Sequence, residues 1–400
     1  MRAHPDHFSV VPACSLDLME YPAAFRRLTC RACAVLGCAL YKERNMRFAV
    51  SLMAATVLAS TLGLAQATPA AGPYKVLDVV KVGGAGGFDY VYADADGRRL
   101  YIPRSGGATS RITVFDLDTL KSVGEVANVS GVHGAVVDPV SGHGFASSKP
   151  VVMFDTKTLA TIKTIPVDGN PDGILFDPFS KRVLILSHRE PNVTVLNAAD
   201  GSVLGTINLG GAPEQAVSDG KGRIFIDIED KDTIAVVDIQ KMQVAGGYGL
   251  SAKGKTPAGL AMDVQNHILF AFCREPATVV IVNADTGEII TNLPIGNGVD
   301  GASFNSATME AFSSQRDGTL TVIKENSPTN FEVEQTVKTR PGARTSTLDS
   351  KTGKIFLIAA EMAAPAAPAT PPAGGRPQGG PGGGRGQMVP DSFMIITVGK

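Results

Sequence analysis

The chain has 400 residues, of which 44% are apolar, with 44 glycines, 25 prolines, no tryptophan and a formal net charge of −1. That is enough apolar material to bury the core of one large, turn-rich globular domain. The near-neutral balance argues against a general nucleic-acid binder, which needs a basic surface, and leaves room only for a local basic patch.

Residues 1–45 contain Cys14, Cys30, Cys33 and Cys38, and only Cys273 follows them. The Cys30-x-x-Cys33 spacing has no second Cys or His pair to complete a zinc site. Ala34 follows it where a haem attachment motif needs histidine. The stretch shows no apolar period and reads as an upstream extension or a mis-called start. Met46-Arg47 then opens a signal-peptide pattern over 46–67: a positive start, the apolar run Phe48–Ala65, and the small-x-small site Ala65-Gln66-Ala67. Cleavage is expected after Ala67. The run is short for a membrane span and lacks a basic stop-transfer segment, so the expected mature chain is exported, periplasmic or secreted, with no transmembrane span.

Residues 68–400 read as a single domain built from copies of one unit, clearest in Val167–Leu209. There Gly173–Phe176, Val183–Ser187, Val193–Leu196 and Val203–Leu209 are rich in Val, Ile, Leu and Thr, while Asp, Pro, Asn and Gly fill the gaps. These are the signs of short antiparallel strands. An acidic turn after the first strand recurs at Asp94, Asp138, Asp177, Asp219, Asp263, Asn305 and Asp349. The end of the third strand recurs at Asp116, Asp155, Asn197, Asp238, Asn283, Lys324 and Thr397. A period near 40 residues with four strands per copy, and no helical period, predicts an all-β, seven-bladed propeller of four-stranded antiparallel blades.

The two ends of the domain are complementary. Phe393–Val398 reads as a third strand with no fourth after it, and Tyr74–Val82 reads as a fourth strand with no blade before it. Pairing them would close the ring and leave few sheet edges open. The Ala/Pro/Gly-rich tract 363–390 lies inside the last copy and is expected to be a disordered loop, because it has too little apolar surface to offset its ordering entropy.

The stretch Thr164-Ile165-Pro166-Val167-Asp168-Gly169-Asn170-Pro171-Asp172-Gly173, followed by Asp177-Pro178, resembles the repeat of the YVTN/YncE-like seven-bladed propellers. Val193–Asn197 and Val279–Asn283 match the strand-end motif of that family, and the similarity extends over residues 74–400. The Tyr-Val-Thr-Asn tetrapeptide itself is absent, with Tyr101-Ile102-Pro103-Arg104 in its place. The resemblance implies an exported propeller but no particular chemistry.

In a propeller the first strands line a central channel, and the residues entering them form one rim. Those positions are Asp89, His133, Asp172, Glu214, Ala258, Asp300 and Arg344. They are candidates for holding a polar ligand, with Asp89, Asp172, Glu214 and Asp300 as candidate ligands of a divalent cation. The same residues would equally solvate a wet channel. A second set follows the second strands: Arg104, Lys149, His188, Glu229, Arg274, Arg316 and Glu361. Arg104, Arg274, Arg316 and Arg344 would form a forked-donor cluster for carboxylate or phosphate if they met.

No G-x-S-x-G elbow or H-E-x-x-H pair is present. His143 and His267 fall in turn regions and read as surface residues. Cys273 follows an apolar run and reads as a buried, inert thiol. Asn128 and Asn192 fit the glycosylation sequon. The expectation is a monomeric binding or scaffold module with no resident cofactor, taking a small polar ligand or an envelope protein. The alternatives are a metal-dependent, lactonase-like hydrolase and a propeller subunit resembling those of quinoprotein amine dehydrogenases.

Overall fold

The structure, a computed structural model, describes residues 72–106, 109–363 and 388–400. The upstream extension, the signal peptide and residues 364–387 of the expected loop lie outside the described residues. Among those residues the chain forms seven four-stranded antiparallel sheets. Blades one to six run Tyr92–Val126, Gly134–Ile165, Pro171–Ile207, Pro213–Gly249, Lys255–Pro294 and Val299–Lys338. Blade seven takes Ser346–Leu348, Ile355–Ala359 and Met394–Gly399 from the end of the chain and Lys75–Lys81 from its start. The innermost strands of successive blades touch one another in a closed cycle, so the sheets form a propeller around a channel. No helix among the described residues is long and apolar enough to cross a membrane.

The recurring acid is a turn device. Asp94, Asp138, Asp263 and Asn305 end their innermost strands, and their Oδ1 atoms accept the backbone N–H of Gly97, Val140, Gln265 and Ala307 at 2.9–3.0 Å. Asp116, Asp155, Asn197 and Asn283 do the same at the end of the third strand. Asx turns of this kind satisfy backbone donors locally, which is why the same residue type recurs at each reversal. Lys324 breaks that series, and its strand, Thr319–Ser327, runs three residues further.

Seven apolar clusters fill the gaps between consecutive blades. In blade four, Ile224, Ile226 and Ile228 pack toward blade three, whereas Phe225 packs toward blade five. Alternation along the strand therefore feeds two different cores, and the middle strands read as unbroken apolar runs. Outermost strands face water on most positions, as in Thr161–Ile165, where only Ile165 is buried.

The closure is made by main-chain pairing from Lys75↔Gly399 to Lys81↔Met394. Val82 N donates to Phe393 O at 2.9 Å and continues it. Tyr74 bolts the strand to blade six. Its ring meets Phe312 edge-on at 5.4 Å, its hydroxyl donates to Glu310, and Gln335 binds both its N–H (2.9 Å) and its C=O (2.7 Å). Lys400 Nζ donates to Glu310 from the other end of the chain at 2.9 Å.

Smaller expectations fare unequally. Cys273 is fully buried, and burial pushes its thiol well above the ordinary range. His143 is half-buried with Nδ1 3.3 Å from Ala198 O, and His267 lies 2.7 Å from Asp285 Oδ2, so neither is a free surface residue. Asn192 is buried with its amide bonded to Ser187 O and Leu209 N, which closes that sequon in the folded chain.

Candidate functional site

Four of the innermost strands are irregular where they meet the rim. Register shifts fall at Pro171/Ile174, Pro213/Ala216, Pro257/Gly259 and Val299/Ala302. A bulge re-aims the side chain it carries, and these bulges bring Asp172, Glu214 and Asp300 to one cavity of about 480 Å³ with Asp89, His133 and Arg344. The second strands add His188, Glu229, Arg274 and Arg316 to the same cavity.

The side chains close into a ring in which acids alternate with histidines and arginines. His133 Nδ1 lies 2.9 Å from Asp89 Oδ2 and 3.0 Å from Asp172 Oδ1. The other Asp172 oxygen lies 3.0 Å from His188 Nε2, which is 3.8 Å from Glu214 Oε1. Arg274 stands 4.0 Å from Glu214 and pairs closely with Glu229 and Asp300. Asp300 pairs closely with Arg344, and Arg344 returns to Asp89 Oδ1 at 3.6 Å. Blade five has only the buried Ala258 at its rim position and contributes Arg274, from its second strand, to the cavity instead.

Proton affinities follow from this packing. Hydrogen bonds to Asp172 and Asp89 push His133 up to about 10, against the opposing effect of burial. Burial, reinforced by Asp300 and Glu229, pushes the Glu214 carboxyl up to about 9. Tyr90, pushed far above the ordinary phenol range by its own burial, donates to Glu214 Oε2 at 2.9 Å.

Two residues beneath the ring have no counterpart among the sequence candidates. Gln215 spans the channel, donating to Ala302 O at 2.9 Å and accepting from the N–H groups of Leu260 and Ala302 at 3.1 Å. Tyr90 and Gln215 together line a smaller cavity below the mouth. Both occupy the position just after the rim residue, where blades two, three, five and six have Gly134, Gly173, Gly259 and Gly301. A Cβ at Gly173 would sit 2.5 Å from Glu214 O, so the crowding near the axis admits no side chain there. A large polar residue breaking a glycine series was the available sequence signal.

Other candidates stand apart from the mouth. Arg104 is 1% exposed and donates to the carbonyls of Gly83, Gly84 and Ala85 at 3.0–3.3 Å, with its guanidinium 3.7 Å from the Phe393 ring centre. It shapes the strap that follows the closing strand and joins no anion cluster. Lys149 donates to Gly169 O at 2.6 Å, and Glu361 lies 3.6 Å from Lys81. Asp300 gives one oxygen to Arg274 and the other to Arg344, so it is not among the cation-ligand sets. Those sets are Asp89–His133–Asp172 and Asp172–His188–Glu214.

Arg316 and Arg344 also line a second, more apolar cavity of about 390 Å³ with Phe88, Ala360, Met362 and Met388. No protein-family model matches the chain, and no curated protein matches it by sequence.

Proposed function

We propose that this propeller is a ligand-binding module of the exported YVTN/YncE-like type, which takes a small polar molecule at one mouth of its channel. The observation that carries this reading is the closed ring of side-chain contacts between acids and histidines or arginines, running from Asp89 through His133, Asp172, His188, Glu214, Arg274, Asp300 and Arg344. The turn acids bond to nearby backbone amides, and Glu310 is met by side chains that line no channel cavity. The ring charges instead meet across blade boundaries and line a cavity of ligand-binding size. Fixed charges of both signs in a concave site are suited to a dipolar or oxyanionic ligand.

Thermal-shift measurements on the mature chain with amino acids, dicarboxylates, sugar phosphates and lactones test this. At least one class should raise the Tm of the wild type, and His188→Ala and Arg344→Ala should lose that shift. A shift retained by both variants, or no shift with any class, rejects the reading. Fractionation and N-terminal sequencing test the export half, with Thr68 expected as the first residue. A second reading, a metal-dependent hydrolase, is favoured by the two cation-ligand sets that share Asp172. It requires lactone turnover that a chelator abolishes.

A further inference from the structure

We propose that the channel mouth binds a pair of divalent transition-metal cations bridged by Asp172, one held with Asp89 and His133 and the other with His188 and Glu214. This rests on the reading of the mouth as the binding site and specifies its occupant. The donor atoms of each set lie within 4.8 Å of one another. Bonds of about 2.1 Å to a tetrahedral ion would place such atoms roughly 3.4 Å apart. The observed separations of 2.9, 3.0, 3.0 and 3.8 Å bracket that value.

Hydrogen-bond accounting points the same way. A ring nitrogen carries at most one proton. Nδ1 of His133 nevertheless faces two carboxylate oxygens at hydrogen-bond distance, and Nε2 of His188 faces Asp172 at 3.0 Å with Glu214 beyond it at 3.8 Å. One N–H cannot serve two acceptors well, whereas a cation accepts all three lone pairs. Asp172, only 8% exposed, turns one oxygen to each imidazole, the arrangement of a bridging carboxylate.

The remaining ligand oxygens are independently anchored. Arg344 lies 3.6 Å from Asp89 Oδ1, and the hydroxyl of the half-buried Tyr90 donates to Glu214 Oε2 at 2.9 Å. Outer partners of this kind fix ligand orientation and are the usual surroundings of a metal site. The imidazole rings are about one-third exposed, so ions can reach them from the cavity. Mixed imidazole and carboxylate donors suit zinc or manganese better than calcium or magnesium.

Three protein ligands per ion leave coordination positions open toward the cavity that Arg316 and Arg344 also line. A cation pair opposite guanidinium groups selects a small oxyanion, a carboxylate or a phosphate, which the two ions can clamp together.

The test uses the full mature chain, stripped with a chelator, dialysed against Zn²⁺ or Mn²⁺, freed of excess and measured by mass spectrometry of the metal. Two ions per chain are expected for the wild type and for the control His143→Ala. His133→Ala and His188→Ala should each retain one, and Asp172→Ala none, with circular dichroism confirming that each variant is folded. If Asp172→Ala fails to fold, the two histidine variants carry the test. Any wild-type stoichiometry other than two, or two ions retained by either histidine variant, overturns the pair. A wild type that takes no ion but still shows the polar-ligand shifts loses only the cations. One that shows neither loses the binding mouth as well.

Discussion

Glu310 and Asp172 are both carboxylates with almost no exposed surface, one at the ring closure and one at the channel mouth. Glu310 is met by Tyr74 and Lys400 from opposite ends of the chain, with Lys324 4.0 Å away. Asp172 is met by His133 and His188, whose rings are about one-third exposed and face a cavity. The same contrast separates Arg104, which is sealed beneath backbone carbonyls, from Arg344, which lines two cavities. A buried charge whose partners join the two ends of the chain and line no channel cavity holds the fold together, whereas one whose partners line a cavity is placed to meet a ligand.

The largest effect should come from Tyr74→Ala. It removes a buried ring and the hydroxyl that donates to Glu310, leaves the main-chain bonds to Gln335 in place, and should cost about 3–5 kcal/mol in urea unfolding. His188→Ala at the mouth should cost about 1 kcal/mol or less, since its ring is partly exposed. Equal losses in the two variants would break the comparison.

A middle effect concerns acid. Burial raises the Glu310 carboxyl, but hydrogen bonds, those from Tyr74 and Lys400 among them, outweigh it and hold the group below the ordinary Glu range. A depressed carboxylate adds stability that is present above its unfolded pKa and lost as pH falls through its folded pKa. Glu310→Gln should therefore lower stability at neutral pH by about 1–3 kcal/mol. It should also show a flatter loss than the wild type as the pH falls below the ordinary Glu range. Parallel pH–stability curves for the two proteins would contradict this role at the closure.

The smallest effect should be at Lys81–Glu361, a pair 3.6 Å apart with side chains 64% and 49% exposed. Although Lys81 lies in the closing strand, Lys81→Ala should change stability by about 0.5 kcal/mol or less. A larger loss would show that the closure depends on charge as well as on main-chain pairing.

Most of the architecture was legible because each copy carries the same local chemistry. Asp138 and Asp177 align from the residue pattern alone, since an Asx turn needs only a side-chain oxygen two or three residues before a free N–H. The closing strand was legible as an unpaired remainder at each end. The mouth was legible through positional equivalence: Asp89, His133 and Asp172 occupy one place in three copies and do meet. The second set was less so. Arg104 and Arg274 lie at the ends of equivalent strands, the last and the last but one residue, yet one turns under the glycine strap and the other toward Asp300. Nothing in their local sequence separates those outcomes, because the strap and the acids Glu229 and Asp300 are contributed by other parts of the chain.

Sequence alone therefore determined the number of blades, the four-strand unit, the closure by joined ends and the residues offered to the rim. Each follows from short-range rules of turn chemistry and alternation, repeated often enough to count. Tertiary structure alone decided which offered charges converge, how Asp172 divides its oxygens between two histidines, and that Tyr90 and Gln215 fill the channel beneath them. Those depend on bulges and on the distance between neighbouring sheets, which arise only when all seven blades pack around one axis.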